Sequence, residues 1–183
     1  MDITKLFSLE GRVALVTGGS KNLGRHIAEG FIAQGAKVYI SSRKADACAQ
    51  TAEELGLNCI ALPMDLSSGE GCKALAAAFA AREEKLDILV NNAGVAGLRG
   101  LTKDGFEMTF GVNHLGHFLL TQLLLEKMQS SGLSRVVTVS SRAHKRTAGI
   151  DWDALCQPTR SWTGIREYAV SKLANLLFSA ELA

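Results

Sequence analysis

Short apolar runs alternate with amphipathic segments along this chain. The apolar runs are rich in β-branched residues and predict five strands, at 12–17, 37–41, 58–62, 86–90 and 135–139. The segments between them have helical spacing and predict helices at 23–34, 45–55, 71–82 and 104–129, with a last helix around Tyr168. Alternating strands and helices indicate βαβ units. We therefore expect a parallel sheet with helices on both faces and strands buried on both sides.

Composition and charge narrow the class of protein. The chain has 183 residues, a formal net charge of +2 and no visible linker, so we expect one domain over residues 1–183 and no nucleic-acid partner. No stretch approaches the roughly 20 apolar residues of a membrane span, and residues 1–7 lack the apolar core of a signal peptide. The cysteines and histidines form no ligand cluster, which argues against a metal site. Scattered cysteines are typical of a reducing compartment, so we expect a cytoplasmic protein.

A glycine-containing turn follows the first predicted strand. Its sequence is Thr17-Gly18-Gly19-Ser20-Lys21-Asn22-Leu23-Gly24, and the first helix begins within it. Glycine lets the backbone approach a pyrophosphate closely, and a helix N-terminus presents free N–H groups to the phosphates. Such a turn also occurs without a ligand. Its position after the first strand favours dinucleotide binding.

Tyr168 and Lys172 lie four residues apart in the last predicted helix, so both side chains leave the same face. A nearby cation lowers the pKa of a phenol from its ordinary value of about 10. A tyrosine tuned in this way can exchange a proton near neutral pH, as a general acid or base must. The alternative is a surface helix whose lysine extends along it to reach solvent.

Several motifs in a fixed order make the chain resemble the short-chain dehydrogenase/reductase family over its whole length. They are the turn at 17–24, Asn91-Asn92-Ala93-Gly94 after the fourth strand, Asn113, Ser140-Ser141 after the fifth strand, and Tyr168 with Lys172. The family has glycine where this chain has Asn22. Among residues other than glycine, asparagine tolerates a positive φ best, so we expect the turn to keep its conformation. The resemblance implies an α/β fold, a Rossmann-type doubly wound parallel sheet in a three-layer αβα sandwich.

The resemblance also implies a reaction, in which a hydride passes between NADP(H) and a carbonyl or alcohol substrate. Tyr168 would give a proton to the carbonyl oxygen, and Lys172 would lower the phenol pKa and bind the nicotinamide ribose. Asn113 would hold a water that links Lys172 to solvent. Ser141 would bond the substrate oxygen; only one of Ser140 and Ser141 can face the site, and the family position favours Ser141. The residues expected to bind the cofactor are Gly18, Ser20, Lys21, Asn22, Leu23, Gly24, Ser42, Arg43, Asp65, Leu66, Asn92, Ala93, Gly94, Tyr168 and Lys172.

The second strand ends in two serines and two cations, with no carboxylate to bind an NAD ribose. By resemblance, Ser42 takes the place of the NAD-type Asp and Arg43 that of the NADP-type Arg, while Lys21 adds a further cation. This favours NADP(H); the alternative is that the cations are solvated charges at a helix start. Asp65 resembles the family's adenine-contacting Asp, and it could equally be a helix N-cap.

The segment 143–165 is longer than in many short members of the family and carries Trp152 and Trp162. It could be a lid over an apolar substrate, or its tryptophans could anchor it to the domain. Together with residues 102–118 it resembles the retinol-dehydrogenase and protochlorophyllide-reductase branch, while the first part resembles bacterial ketoacyl- or sugar-reductases. We expect a small or lipophilic ketone, aldehyde or alcohol as substrate. The alternatives are a catalytically silent NADP(H)-binding regulator, a truncated fragment, and an epimerase or dehydratase.

Family members continue beyond the position of Ala183 with strands that complete the sheet. The resemblance therefore implies that the C-terminal strands are missing, and that the fifth strand exposes an edge and an apolar face. The leucine-rich segments 118–128 and 173–182 correspond to helices that pair across a dimer axis in relatives. We therefore expect a homodimer or homotetramer; core packing within one subunit is the competing use of these residues.

Overall fold

The structure, a computed structural model, describes residues 6–183. The expectation about a signal peptide falls mainly on residues 1–5, outside that range. Five strands form one parallel sheet: β1 Val13–Thr17, β2 Lys37–Ser41, β3 Cys59–Ala61, β4 Ile88–Asn91 and β5 Arg135–Thr138. The strand predictions are confirmed, with ends that differ by two residues at most.

The strand order is β3-β2-β1-β4-β5. β1 lies in the middle, with Leu15 beside Tyr39 of β2 on one side and Leu89 of β4 on the other. The chain winds outward in opposite directions from β1 and from β4, which leaves a crevice at their carboxyl ends. Open α/β sheets bind ligands at such a point.

Helices cover both faces of the sheet. They are α1 Asn22–Ala33, α2 Ala45–Leu55, α3 Gly69–Ala80, α4 Met108–Phe110, α5 Gly116–Gln129 and α6 Ile165–Leu182. One core packs Leu15 of β1 with Phe79 of α3 and Leu120 of α5. The other packs Val16 of β1 with residues of α1 and α2, including the buried Cys48. The predicted doubly wound, three-layer arrangement is confirmed.

The predicted helix over 104–129 is wrong in its first part. A bridge between Leu101 and Glu107 closes a turn, and α4 begins only at Met108. The buried Glu107 carboxylate caps α4 by accepting a hydrogen bond from the Phe110 N–H (2.8 Å). A π-helical segment, Gly111–Leu115, then joins α4 to α5. Glu107 is held by residues far along the chain, so local periodicity does not reveal this boundary.

β5 differs from the interior strands. All five residues of β1 are buried, whereas β5 alternates between exposed and partly buried residues, and Val137 is 47% exposed. Within the part of the chain that the structure describes, β5 pairs only with β4. The exposed edge is confirmed among the described residues; the exposed positions of the strand itself are the apolar Val137 and the charged Arg135. Burial on both sides is wrong for β5. None of the helices within residues 6–183 combines the length and apolar character needed to cross a membrane.

Candidate active site

The turn between β1 and α1 keeps its shape with Asn22 in place of glycine. Asn22 has a φ of 49°, in the left-handed region that asparagine tolerates, so the prediction is confirmed. Gly24 has no room for a side chain, because an added Cβ would overlap the Gly18 carbonyl oxygen and lie 2.6 Å from Asn92 Nδ2. Gly24 therefore lets α1 pack closely against the turn.

The N-terminus of α1 is uncapped. Lys21 precedes the helix, and its side chain makes no capping hydrogen bond. The N–H groups of Asn22, Leu23 and Gly24 are too early in α1 to have an intrahelical acceptor. These donors and the positive end of the helix dipole favour an anion at this position.

A cleft of about 320 Å³ opens beside this turn, at the carboxyl ends of β1 and β2. Lys21, Arg43, Lys44 and the acid Asp65 line it. None of the three cations forms an ion pair within residues 6–183, so the cleft carries excess positive charge. The predicted cofactor-binding residues that line it are Gly18, Ser20, Lys21, Ser42, Arg43, Asp65, Leu66, Ala93 and Gly94.

Two polar groups of this cleft bear on what it can bind. Asp65 accepts a hydrogen bond from the Ser67 N–H (3.0 Å), whereas Ser68 caps α3, so the alternative that Asp65 is the N-cap is wrong. The Ser41 hydroxyl is buried and has no hydrogen-bond partner among the described residues. An unsatisfied hydroxyl in the cleft wall, an uncapped helix start and unpaired cations together fit a nucleotide with phosphate groups.

Asn92 lies behind the turn, outside the residues that line the cleft. Its Nδ2 donates to the Thr17 carbonyl oxygen (2.8 Å). The Thr17 hydroxyl accepts in return from the N–H groups of Asn92 and Ala93, each at 2.9 Å. These bonds fasten the end of β4 to the end of β1. Asn22, Leu23 and Gly24 do not line the cleft either; a ligand would meet them through the free N–H groups at the start of α1.

Asn113 lies fully buried in the π-helical segment. Its Oδ1 accepts from the Val95 N–H (2.8 Å), and its Nδ2 donates to the Val95 carbonyl oxygen (2.9 Å) and to the Ser171 hydroxyl (3.1 Å). Both amide hydrogens are used, so a water held here must donate to an oxygen of Asn113. The side chain connects the loop after β4 to α6.

α6 presents Tyr168 and Lys172 together. Lys172 Nζ lies 5.6 Å from the centre of the Tyr168 ring and donates to the Val139 carbonyl oxygen (2.9 Å). Lys172 is 4% exposed, and this burial lowers its pKa. The alternative of a lysine that reaches solvent along a surface helix is therefore wrong.

The two serines after β5 have different partners. The Ser140 hydroxyl donates to the Lys172 carbonyl oxygen (2.8 Å), so its hydrogen is used. The Ser141 hydroxyl accepts from the Ala143 N–H (3.2 Å) at the start of the short 3₁₀ segment Arg142–Arg146. Among the described residues it donates to no acceptor, which leaves its hydrogen free for a substrate oxygen. This difference supports Ser141 over Ser140.

The tryptophans of the segment 143–165 are largely exposed, with Trp152 at 70% and Trp162 at 86%. Trp162 still contacts the domain, because the Arg99 guanidinium lies 5.7 Å from the centre of its ring. A buried attachment is made by Thr159, which donates through its hydroxyl to Glu107 and accepts from the Gly100 N–H (3.1 Å). No motif marks Thr159, and sequence reasoning missed it.

Sequence reasoning also missed three buried residues that link the parts of the site: Thr17, His117 and Ser171. Thr17 belongs to the glycine motif, but its hydroxyl finds its partners only once β4 is in place. His117 follows Asn113 by one helical turn, and that spacing is its only signal. The missed residues of the cleft lining are Ser41, Lys44, Ala47, Met64, Ser67, Val95 and Val112. Residues 6–183 place no three His, Cys, Asp or Glu side chains together as metal ligands.

Comparison with known proteins identifies the family. A family model described as short chain dehydrogenase matches residues 12–150, from β1 into the segment after β5. The chain belongs to this family. Retinol dehydrogenase 13 of Homo sapiens is 40% identical, over 96% of this chain and 55% of that protein. Dehydrogenase/reductase SDR family member 13 of Bos taurus is 42% identical, over 97% of this chain and 48% of that protein. The chain thus spans about half the length of these curated relatives.

Solved structures of this family share the fold. The Pseudomonas aeruginosa RhlG/NADP active-site complex superposes with a TM-score of 0.77 at 36% identity, over 100% of this chain and 68% of that one. A short chain dehydrogenase/reductase from Burkholderia phymatum in complex with NAD gives a TM-score of 0.75 at 27% identity, over 96% of this chain and 60% of that one. The resemblance to the family is confirmed. The two complexes hold different dinucleotides, so a choice between them rests on the cleft of this chain.

Proposed function

We propose that the protein is an oxidoreductase that transfers a hydride between NADP(H) and a carbonyl or alcohol substrate. The observation that carries the proposal is the buried Lys172 beside the Tyr168 ring. Val95 connects this pair to the cationic cleft, since it lines the cleft and bonds Asn113, whose amide reaches α6. Membership of the short chain dehydrogenase family supports the same reaction class.

The proposed roles follow from the contacts. When bound, the dinucleotide supplies or accepts the hydride. Tyr168 gives its proton to the carbonyl oxygen during reduction, and the nearby Lys172 stabilises the phenolate that remains. The free hydrogen of the Ser141 hydroxyl bonds the substrate oxygen, where negative charge develops. Asn113 positions the catalytic helix through Ser171, whose hydroxyl donates to the Tyr168 carbonyl oxygen (2.8 Å).

We propose a small or lipophilic ketone, aldehyde or alcohol as substrate. Relatives named retinol dehydrogenase support the lipophilic choice. The segment 143–165, which follows Ser141 along the chain, carries the exposed Trp152 and Trp162, and we propose that it covers an apolar substrate. A panel of aliphatic, aromatic and polyene aldehydes and ketones, with NADPH oxidation as the readout, ranks these substrates directly.

The proton role is tested with Tyr168→Phe. We expect NADPH-dependent reduction to slow by about 10²-fold or more, because general acid catalysis contributes roughly that much, while NADPH affinity changes little. Tyr39→Phe is the matched control. It removes the hydroxyl of another buried tyrosine, which donates to Glu83 and packs against Phe79 of α3, away from the proposed site. Unchanged turnover in Tyr168→Phe would remove the proposed acid.

We propose NADP(H) over NAD(H) because of the charges around β2. Within residues 6–183, Arg43 and Lys21 form no ion pair and line one cleft, and no carboxylate follows β2 to bind an NAD ribose. A guanidinium gains bidentate, charge-assisted hydrogen bonds from a phosphate dianion. The NADP complex of RhlG agrees with this choice, and the NAD complex of the second neighbour shows that the fold accepts either.

Arg43→Ala tests this choice. A charge-assisted hydrogen bond contributes about 1.5–3 kcal/mol, so NADPH affinity should fall by roughly 10- to 100-fold while NADH affinity stays the same. Arg82→Ala, which removes an arginine outside the cleft, is the control. Equal losses for both dinucleotides, or no loss for either, would contradict the proposed 2′-phosphate contact. Measurement is by dinucleotide fluorescence titration.

A second candidate is a catalytically silent NADP(H)-binding regulator. The unpaired outer edge of β5 among the described residues favours it, because Ser140 and Ser141 follow closely after this strand. Dinucleotide binding without turnover on any carbonyl of the panel would select this candidate.

We also propose that two copies of the chain associate through the outer faces of α5 and α6.

A further inference from the structure

A buried histidine outside the proposed catalytic set joins two parts of the site. His117 lies in the first turn of α5 and is 1% exposed. Its Nε2 lies 3.0 Å from the Thr17 hydroxyl oxygen, and its Nδ1 lies 3.0 Å from the Asn113 carbonyl oxygen. One ring therefore touches both the end of β1 and the π-helical segment.

These partners determine which nitrogen carries the hydrogen. A carbonyl oxygen can only accept, so Nδ1 must donate to Asn113. The Thr17 hydroxyl already accepts from the N–H groups of Asn92 and Ala93, so its two acceptor positions are filled. It can still donate, either to His117 Nε2 or to the Val90 carbonyl oxygen (3.1 Å). A second ring proton, on Nε2, would point at the Thr17 hydroxyl oxygen, which has no acceptor position left.

The charges around the ring also disfavour a cation. The positive groups that act on it are Lys172 of α6 and His114 of the π-helical segment. Burial is the largest effect, and together with these groups it lowers the pKa of His117 to about 4, despite the bond to Asn113. His117 is therefore neutral in the range where the reaction would run.

We propose that His117, as the neutral ring with hydrogen on Nδ1, is a positioning residue that couples the phosphate turn to the catalytic helix. The Thr17 hydroxyl contacts His117 Nε2, and its one hydrogen has this nitrogen and the Val90 carbonyl as alternative acceptors. His117 donates to the Asn113 carbonyl; the Asn113 amide donates to Ser171, which donates to the Tyr168 carbonyl. The coupling rests on the proposed function, whereas the ring state does not.

The ring state is tested by ¹⁵N NMR of the histidine side chains in the unmodified protein. We expect one histidine to show a protonated Nδ1 and an unprotonated Nε2, with no titration above pH 5. His117→Asn should remove those signals and so assign them. A ring that carries its hydrogen on Nε2, or titrates near the ordinary value of about 6.5, overturns the inference whether or not the protein turns over a substrate.

The coupling is tested by separating kcat from dinucleotide affinity. His117→Leu removes both ring bonds, and small misplacements of a catalytic group can cost about 10²-fold, so kcat should fall by roughly 10- to 100-fold. NADPH affinity should change by less than about threefold, because no cleft-lining residue is altered. His117→Asn keeps a donor near Nδ1 and should recover part of kcat.

The controls separate coupling from stability. Tyr39→Phe also removes a buried hydrogen bond, between Tyr39 and Glu83, and should leave kcat unchanged. Unaltered kcat in His117→Leu, or the same fall in Tyr39→Phe, overturns the coupling. If the unmodified protein shows no turnover, the proposed function fails and the NMR result alone decides the ring state. If His117→Leu does not fold, the comparison of His117→Asn with His117→Gln, which reaches Thr17 instead of Asn113, replaces it.

Discussion

Asn22 occupies a position where the backbone is left-handed, with a φ of 49°. Its side chain is exposed and the residue begins α1, so its conformation rather than its packing is what matters there. Asparagine accepts this conformation at low cost, whereas a residue with an ordinary Cβ loses about 1–2 kcal/mol. The family's glycine and this asparagine are two solutions to one backbone requirement.

Asn22→Ala should therefore lower the free energy of unfolding by about 1 kcal/mol. Asn22→Gly should stay within about 0.5 kcal/mol of the unmodified protein, because glycine adopts the same φ freely. Urea unfolding followed by circular dichroism measures both. If the alanine variant is as stable as the glycine variant, the strain argument for this turn is wrong.

At this scale the sequence predicted residues that belong to motifs and missed those defined by contacts. Gly24 and Lys172 belong to the ordered motifs that make the chain resemble the family, and the structure places Gly24 beside Gly18 and Lys172 beside Tyr168. Thr17, His117 and Thr159 were missed because their partners lie in other elements, up to 100 positions away along the chain. A side chain whose role is to join two elements leaves no local periodicity.

At the scale of elements, Asp87, the residue before β4, connects β4 to β1 and to the end of α5. Its carboxylate accepts from the Val13 N–H of β1 (2.9 Å), from Arg12 (2.7 Å) and from the Ser131 hydroxyl after α5 (2.7 Å). Burial alone would raise the pKa of Asp87, but the bonds from Ser131, Arg12 and Val13 outweigh it and lower the pKa to about 2. The charged form is thus built into the packing of the sheet.

Asp87→Asn should cost about 2 kcal/mol at neutral pH, the free energy that a shift from 3.8 to about 2 represents. Because the folded pKa is lowered, this stability is present above pH 4 and is lost as pH falls towards 2. Urea midpoints measured from pH 2 to 7 should converge for the two proteins at low pH. Asp46→Asn, an exposed acid in α2, is the control; parallel curves for Asp87→Asn and the unmodified protein would contradict the assignment.

The elements themselves were largely predictable, and the exceptions have physical causes. The interior strands are continuous apolar runs, so their boundaries follow from the sequence. The start of α4 cannot be read from the sequence. It is set by Glu107, whose carboxylate caps α4 and whose backbone N–H donates to the Leu155 carbonyl oxygen (2.7 Å). The π-helical segment has no local signal in the sequence either, because its Gly116 N–H bonds the Gly111 carbonyl five residues back and no residue type specifies that spacing.

At the scale of the whole molecule, the outer faces of α5 and α6 carry exposed apolar side chains. Phe118 of α5 is 43% exposed and packs edge-on against Phe178 of α6, with ring centres 5.4 Å apart. Leu123, Leu176 and Leu177 extend this surface, each at least 40% exposed. Contiguous exposed apolar surface of this kind marks interaction sites, and a two-fold pairing of the same face would bury it.

Phe118→Lys should shift the protein from dimer to monomer in sedimentation velocity, since two lysines would meet across such an interface. Leu57→Lys, at a fully exposed site after α2, should leave the oligomeric state unchanged. An unmodified protein that sediments as a monomer at the highest soluble concentration contradicts the proposed association.

The bonds between Asn92 and Thr17 have a consequence for how the protein assembles. The backbone of the phosphate turn takes its shape from a side chain about 75 positions later, on the far side of two βα units. The first half of the chain cannot by itself present a finished nucleotide pocket. Dinucleotide in the refolding buffer should therefore leave the rates of the early folding steps unchanged. It should stabilise the protein only after β4 has paired with β1.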